Sequence, residues 1–140
     1  MARIQPFRSY AWLCGVIGVA LCLGGVAFFA SFFAYHAPNS EIGIPTGPVG
    51  IYFVAFTGCA SIGWGGALLG AFRRPESGRT VGTATALALV MSAIYRMLGW
   101  LVGDYYAWAG ELLRVEAAIF LLLALAFLWL RPPPVAREVA

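Results

Sequence analysis

Lysine is absent from this chain of 140 residues, which contains one histidine and only six acidic residues. Charged residues make up 11% of the sequence, about half the fraction that is usual in soluble domains. Hydrophobic residues make up 61%, and a water-soluble fold of this length could not bury so much apolar surface. The composition therefore excludes a soluble enzyme, a nucleic-acid-binding domain and a disordered tail, and it predicts an integral membrane protein.

Paired or clustered cysteines are also lacking. Cys14, Cys22 and Cys59 all fall within apolar segments, and none belongs to a C-x-x-C sequence. Cysteines in such surroundings usually serve as small, buried hydrophobic side chains. We therefore predict no redox site and no metal site, and the chain contains no recognisable catalytic motif.

Four long apolar stretches dominate the chain, at residues about 10–35, 49–72, 80–102 and 106–130. A helix needs ~20 residues to cross a hydrocarbon core of ~30 Å, and each stretch is at least that long. None of them alternates between apolar and polar residues, as the strands of a membrane barrel would. The sequence predicts an all-α membrane protein, with residues 1–140 forming one domain that is an antiparallel bundle of four transmembrane helices.

The arginines predict the orientation of these helices. In a four-span arrangement most of the arginines fall on one side, namely Arg3, Arg8, Arg73, Arg74, Arg79, Arg131 and Arg137. The two opposite loops contain no arginine, and only His36 lies at their margin. By the positive-inside rule the arginine-rich side is cytoplasmic, so both termini are predicted to lie in the cytoplasm.

The first apolar stretch is longer than the core of a secretory signal, and no small-x-small cleavage site closes it. We therefore expect a retained first helix. Arginine without lysine, together with many alanines and glycines, is typical of bacteria with a high GC content. The predicted location is the bacterial inner (cytoplasmic) membrane, which the chain crosses several times.

Small residues recur at four-residue spacing in three of the predicted helices. The sets are Gly18-Cys22 and Ala20-Gly24, then Ala55-Cys59-Gly63, Ser61-Gly65 and Gly66-Gly70, and finally Ala84-Ala88-Ser92. In lipid, close backbone approach through small residues is a main source of helix association. We predict a tightly packed bundle in which these stripes face neighbouring helices. Aromatic residues near the span ends, such as Tyr10, Trp12 and Trp100, predict an interfacial belt.

Two charged residues lie well inside the predicted spans. Arg96 follows Arg79 by 17 residues, and Glu116 precedes Arg131 by 15 residues. At ~1.5 Å per residue, both lie ~22–25 Å from the same membrane boundary. Because the third and fourth helices are predicted to be antiparallel neighbours, we expect Arg96 and Glu116 to approach each other.

Other charged residues lie near this pair, and more than one interpretation of the cluster is open. Glu111 and Arg114 are three residues apart and can pair on one helix surface, while Asp104 falls in the predicted turn. One interpretation is an ion pair that holds the third and fourth helices together; in a variant of it, the arginines extend to the headgroups without a partner. The other is an outward-opening polar pocket, in which Arg96 binds an anion or headgroup and Glu116 or Glu111 acts as an acid or base.

His36 is the one histidine, and imidazole is the usual axial ligand of haem and related pigments. A six-coordinate haem site within this chain is excluded because there is no second histidine. A position at the membrane interface is the favoured interpretation. We predict no bound cofactor, although contact with a lipid, a quinone or a pigment is compatible with the sequence.

The second apolar stretch contains the segment from Gly50-Ile51-Tyr52 through Trp64-Gly65-Gly66, and Arg96 is followed by an acidic residue early in the fourth stretch. In these features, over residues about 47–131, the chain resembles uncharacterised bacterial four-helix integral membrane proteins. The resemblance implies the four-helix membrane fold and no known chemistry.

Three functions from different classes are open. The leading hypothesis is a non-catalytic subunit that packs into or stabilises a larger bacterial membrane complex, of respiratory or photosynthetic type for example. The second is a stand-alone protein whose outward pocket binds a lipid, quinone or isoprenoid, lined by Arg96, Glu111, Glu116, Asp104, Trp100 and Trp108. The third is a homo-oligomeric small transporter or channel. The expected partners are membrane lipids, other integral membrane subunits or further copies of the chain, and not nucleic acid.

Overall fold

The computed structural model describes residues 7–38, 47–102 and 110–134, and the regular secondary structure of these ranges is exclusively helical. The long helices are α1 (Arg8–Tyr35), α2 (Gly47–Arg73), α3 (Arg79–Val102) and α4 (Leu112–Leu130), and a short 3-10 turn (Pro75–Ser77) separates α2 from α3. All four long helices are long and apolar enough to cross a membrane. This confirms the predicted all-α architecture with four apolar helices.

The helix ends lie within two residues of the predicted ones, except at the start of α4. The sequence predicts that the fourth helix begins at about residue 106; residues 106–109 lie outside the described ranges. Gly110 has a φ of 53°, in the left-handed region, and α4 begins at Leu112. Because that backbone conformation does not belong to a right-handed helix, the predicted inclusion of residues 110 and 111 is wrong.

The chain divides into two compact units. The first unit comprises Met1–Ala11 and Arg74–Ala140, and the second comprises Trp12–Arg73. Each unit is built around one pair of antiparallel helices, α3 with α4 in the first and α1 with α2 in the second. The interpretation of residues 1–140 as a single membrane domain stays a prediction.

In the second unit, glycines bring the backbones of α1 and α2 into contact. A Cβ atom on Gly58 would lie 2.6 Å from the carbonyl oxygen of Gly25, and one on Gly65 would lie 2.7 Å from that of Gly18. No side chain fits at such distances, so this approach requires glycine at both levels. Gly18 and Gly65 belong to the predicted small-residue sets, whereas Gly25 and Gly58 do not.

A second set of glycines on α2 faces away from this contact. A Cβ atom on Gly63, Gly66 or Gly70 would meet no atom within 4 Å in the described chain. At ~100° per residue these glycines share one face, about a third of a turn from Gly58. Cys59 lies one turn before Gly63 on this face, and its side chain is exposed. We call Cys59, Gly63, Gly66 and Gly70 the open glycine face. The sequence predicts that these residues pack within the bundle; within the second unit, the three glycines do not pack against α1, and their packing in a bundle of four helices stays a prediction.

In the first unit, Tyr10 of α1 packs against α3 and α4. Its side chain is 1% exposed, and its hydroxyl donates a hydrogen bond of 2.6 Å to the carbonyl oxygen of Gly78. Its ring lies edge-on to Phe127, with ring centroids 6.3 Å apart. Gly82 provides the space, since a Cβ atom there would overlap the Tyr10 hydroxyl. Tyr10 is therefore a core residue of the first unit, a packing role that the sequence did not predict; its place in an interfacial belt stays a prediction.

The buried face of α3 is displaced from the predicted stripe. Ala84 is exposed, although the sequence predicts that it packs with Ala88 and Ser92. Ala86 and Ala93, which are seven residues apart, are 2% and 1% exposed. Small residues are so frequent in α3 that they form one stripe at four-residue spacing and another at seven-residue spacing. These stripes lie on different faces, and the sequence alone does not show which face is buried.

Candidate functional site: paired charges on α3 and α4

The antiparallel packing of α3 and α4 brings two oppositely charged side chains to the same level. Arg96 lies in the last third of α3, and Glu116 lies in the second turn of α4. The Nε atom of Arg96 is 3.0 Å from the Oε2 atom of Glu116. At this distance the two opposite charges form an ion pair between α3 and α4.

The pair is only partly enclosed by protein. The side chains of Arg96 and Glu116 are 34% and 31% exposed. On α3, Arg96 lies at the flank of the face that buries Ala86 and Ala93, so it reaches α4 from the side of the interface. In a membrane the remaining exposure would be toward lipid, where each charge needs the other.

A second ion pair lies closer to the start of α4. The Nη1 atom of Arg114 donates a hydrogen bond of 2.9 Å to the Oε2 atom of Glu111, three residues before it. Both side chains are more than half exposed. The guanidinium carbon of Arg114 also lies 4.8 Å from the ring centroid of Trp100 on α3, a cation–π distance. Arg114 thus connects α4 to α3 a second time, a contact that sequence reasoning missed.

The indole of Trp100 adds a hydrogen-bond donor to this cluster. Its ring nitrogen Nε1 is buried and has no hydrogen-bond partner among the residues that the structure describes. A buried indole N–H is normally paired, so this atom has an unused capacity to donate. Asp104 and Trp108, which the sequence assigns to the same site, lie outside the described residues.

Two further arginines connect the opposite ends of α3 and α4. The Nη1 atom of Arg79 donates a hydrogen bond of 2.6 Å to the carbonyl oxygen of Pro132. The Nη1 atom of Arg131 donates one of 2.9 Å to the Oγ1 atom of Thr83. The sequence identifies these arginines as orientation signals only. In an antiparallel pair the start of α3 lies beside the end of α4. The positions of Arg79 and Arg131 at these two ends could therefore have predicted that they connect the helices.

His36 is held against the end of α1. Its Nδ1 atom donates a hydrogen bond of 2.8 Å to the carbonyl oxygen of Phe32, and its ring contacts those of Phe32 and Tyr35, with centroids 4.4 and 5.2 Å away. Within residues 7–38, 47–102 and 110–134, no group of three or more His, Cys, Asp or Glu side chains could hold a metal ion. The role of His36 as a pigment or haem ligand stays a prediction.

No protein-family model matches this chain, and no curated protein or solved structure matches it at a significant level. Function is therefore inferred from the residues and their geometry.

Proposed function

We propose that this chain is a small, non-catalytic integral membrane subunit that packs into or stabilises a larger membrane complex. The open glycine face of α2 is the observation that carries the proposal. Each glycine in a helix costs ~1 kcal/mol relative to alanine, and at Gly63, Gly66 and Gly70 nothing in the described chain uses the space that the glycine leaves. Small-residue faces are where transmembrane helices approach one another closely.

The same helix shows what such a face does when it is occupied. On the other side of α2, Gly58 and Gly65 admit the backbone of α1 to distances that no side chain would allow. A helix of a neighbouring subunit seated on Gly63, Gly66 and Gly70 would make the corresponding contact. The open glycine face therefore has the composition of a helix–helix interface and lacks only the second helix.

The charges inside α3 and α4 support a structural role over a catalytic one. Arg96 is paired with Glu116, and Arg114 is paired with Glu111. Among the described residues, no charged side chain in the middle of these two helices is left without an opposite charge. The pairs make the insertion of these charges into an apolar medium tolerable, and they connect α3 to α4.

The arginine distribution supports a bacterial inner-membrane location with both termini in the cytoplasm. In that orientation Arg73, Arg74 and Arg79 lie on the cytoplasmic side, and the Arg96–Glu116 pair lies in the outer half of the membrane. Respiratory and photosynthetic assemblies, which contain many small apolar subunits, are the host complexes that this proposal favours.

Extraction of the tagged chain from its native membranes in a mild detergent tests the proposal. The unaltered chain is expected to co-purify with a larger complex in a fixed ratio. The G66L variant is expected to fold normally, because a Cβ atom on Gly66 meets no atom within 4 Å, but to be lost from the complex. The matched control is G24L on α1, where a Cβ atom also meets nothing within 4 Å; it is expected to stay in the complex.

Two outcomes would contradict a subunit role. Purification of the unaltered chain as a small monodisperse particle without a partner would contradict it directly. Recovery of an oligomer of this chain alone, dissociated by G66L, would assign the open glycine face to self-association and support the third hypothesis, a homo-oligomeric transporter or channel.

A second candidate function is favoured by Trp100. Its buried Nε1 atom has no hydrogen-bond partner in the part of the chain that the structure describes and lies beside the guanidinium of Arg114, an arrangement suited to a carbonyl or phosphate oxygen of a quinone, lipid or isoprenoid. Mass spectrometry of molecules extracted from the purified protein tests this function. A stoichiometric quinone or lipid that is lost in W100F, which keeps an aromatic ring and removes the donor, would favour this function over the subunit role.

A further inference from the structure

The second unit contains an open groove between α1 and α2 at the end where α2 terminates. Its volume is about 340 Å³, within the range of small-molecule sites. The lining is apolar and consists of Trp12, Gly15, Val16, Val19, Leu69 and Phe72. On α2 the groove is lined by Leu69 and Phe72, and the open glycine face begins next to Leu69, at Gly66.

Aromatic packing and a glycine shape this groove. A Cβ atom on Gly15 would come within 3.0 Å of the Phe72 ring, so the absence of a side chain there lets that ring lie against α1. The indole of Trp12 stands edge-on to Phe72, with ring centroids 6.2 Å apart. Trp12 and Val16 are 58% and 59% exposed, so the groove is open along its length.

The groove has the length and the chemistry to hold part of an acyl chain. From Trp12 to Val19 it extends roughly 10 Å along α1 at ~1.5 Å per residue. Its lining is apolar over this length, which suits a hydrocarbon chain.

A cation lies at the end of the groove. Arg73 is the last residue of α2 and follows Leu69 by one turn, so it lies at the edge of the groove, between Leu69 and the direction of Gly66. Its side chain is exposed, and within the described part of the chain it has no hydrogen bond or ion pair. Arginine binds phosphate oxygens through two parallel N–H donors.

We propose that this groove binds one acyl chain of an anionic phospholipid whose phosphate is held by Arg73. Trp12 lies at the same end, and tryptophan is the residue that proteins place at the level of lipid headgroups. The apolar groove would thus hold the acyl chain, and Arg73 at its end would hold the phosphate that adjoins that chain in the lipid. The site requires that α1 and α2 span a membrane, and it does not require a partner complex.

Native mass spectrometry of the full chain in detergent tests the proposal. The probes are phosphatidylglycerol and phosphatidylcholine with identical acyl chains. Phosphatidylglycerol is expected to be retained about fivefold better, the effect of one cationic side chain near an anionic lipid. R73Q is expected to abolish this preference, whereas R74Q, which removes the same charge one residue beyond the end of α2, is expected to keep it.

A second pair of variants tests the groove itself. V16W fills the groove from an exposed position, so it is expected to fold and to reduce the retention of both lipids at least fivefold. V26W adds the same bulk at another exposed valine of α1, outside the groove, and is expected to leave retention unchanged. Circular dichroism of each variant establishes that it is folded.

If R73Q and R74Q lose the preference for phosphatidylglycerol equally, the assignment of the headgroup to Arg73 is overturned. If V16W retains both lipids as well as the unaltered chain does, the acyl-chain site is overturned. A second copy of the chain, or another protein, that V16W displaces without any change in lipid retention would also overturn it. G66L separates this site from the proposed function, because it is expected to abolish complex formation and leave lipid retention unchanged.

Discussion

Gly25 of α1 and Gly58 of α2 are in direct backbone contact, because a Cβ atom on Gly58 would lie 2.6 Å from the carbonyl oxygen of Gly25. G58A therefore forces α1 and α2 apart, and we expect it to lower the free energy of unfolding by about 1–3 kcal/mol. Reversible denaturation in mixed micelles, followed by circular dichroism, measures this change.

The control for this prediction lies on the same helix. G63A adds the same methyl group where no atom lies within 4 Å, and it improves helix propensity, so it is expected to be neutral or to stabilise by up to about 1 kcal/mol. Equal destabilisation by G58A and G63A would show that the contact between Gly25 and Gly58 does not hold α1 and α2 together.

The ion pair between Arg96 and Glu116 predicts a strongly non-additive mutant cycle. R96Q or E116Q alone leaves one uncompensated charge, at a cost of at most about 3 kcal/mol, the value for an arginine or aspartate at the centre of a membrane helix. The double variant R96Q/E116Q removes both charges and is expected to recover most of the loss. Thermal unfolding of the four proteins in detergent measures the coupling.

Exchange of the two charges provides a further control. R96E/E116R preserves the pair in reversed order and is expected to fold like the unaltered protein. Additive losses in the double neutralisation, together with a misfolded exchange variant, would mean that the two side chains do not stabilise each other.

We expect removal of the Tyr10 hydroxyl to lower the free energy of unfolding by a modest amount. In Y10F the hydrogen bond to the carbonyl oxygen of Gly78 is lost, but that oxygen keeps its 3.0 Å hydrogen bond from the amide nitrogen of Gly82. Because no buried acceptor is left unsatisfied, we expect a loss of about 0.5–1.5 kcal/mol. Denaturation of Y10F and Y10A separates the hydroxyl from the ring, and Y10A is expected to lose about 3–5 kcal/mol through the cavity beside Phe127. A larger loss in Y10F than in Y10A would refute this partition.

The left-handed backbone of Gly110 predicts a residue-specific penalty. At a φ of 53°, G110A is expected to destabilise by about 1–2 kcal/mol, because a Cβ atom approaches the following carbonyl oxygen. Asparagine tolerates this conformation better, so G110N is expected to cost less than G110A. Thermal unfolding of the two variants measures the difference, and a G110A variant as stable as the unaltered protein would contradict the assigned backbone conformation.

The apolar helices follow from sequence because the length of an apolar run alone decides whether it can cross a membrane. The similar distance of Arg96 and Glu116 from the membrane boundary can also be calculated from sequence, because the rise per residue of a helix is fixed. The packed glycines are not, because they recur at seven residues, Gly18 with Gly25 and Gly58 with Gly65, whereas the prediction rests on four-residue spacings, which occur on several faces of α2. Tyr10 is missed for a related reason: its acceptor, the Gly78 carbonyl, is 68 residues away.

Cys59 gives the open glycine face a chemical readout. Of the three cysteines, Cys14 is buried, Cys22 is half-buried with its Sγ atom 3.8 Å from the carbonyl oxygen of Ile62, and Cys59 is exposed. A thiol reagent that partitions into lipid should therefore alkylate Cys59 first, and a helix seated on the neighbouring glycines would slow that reaction. The rate at which Cys59 of the unaltered chain is alkylated in intact cells therefore indicates whether a neighbouring helix covers the open glycine face.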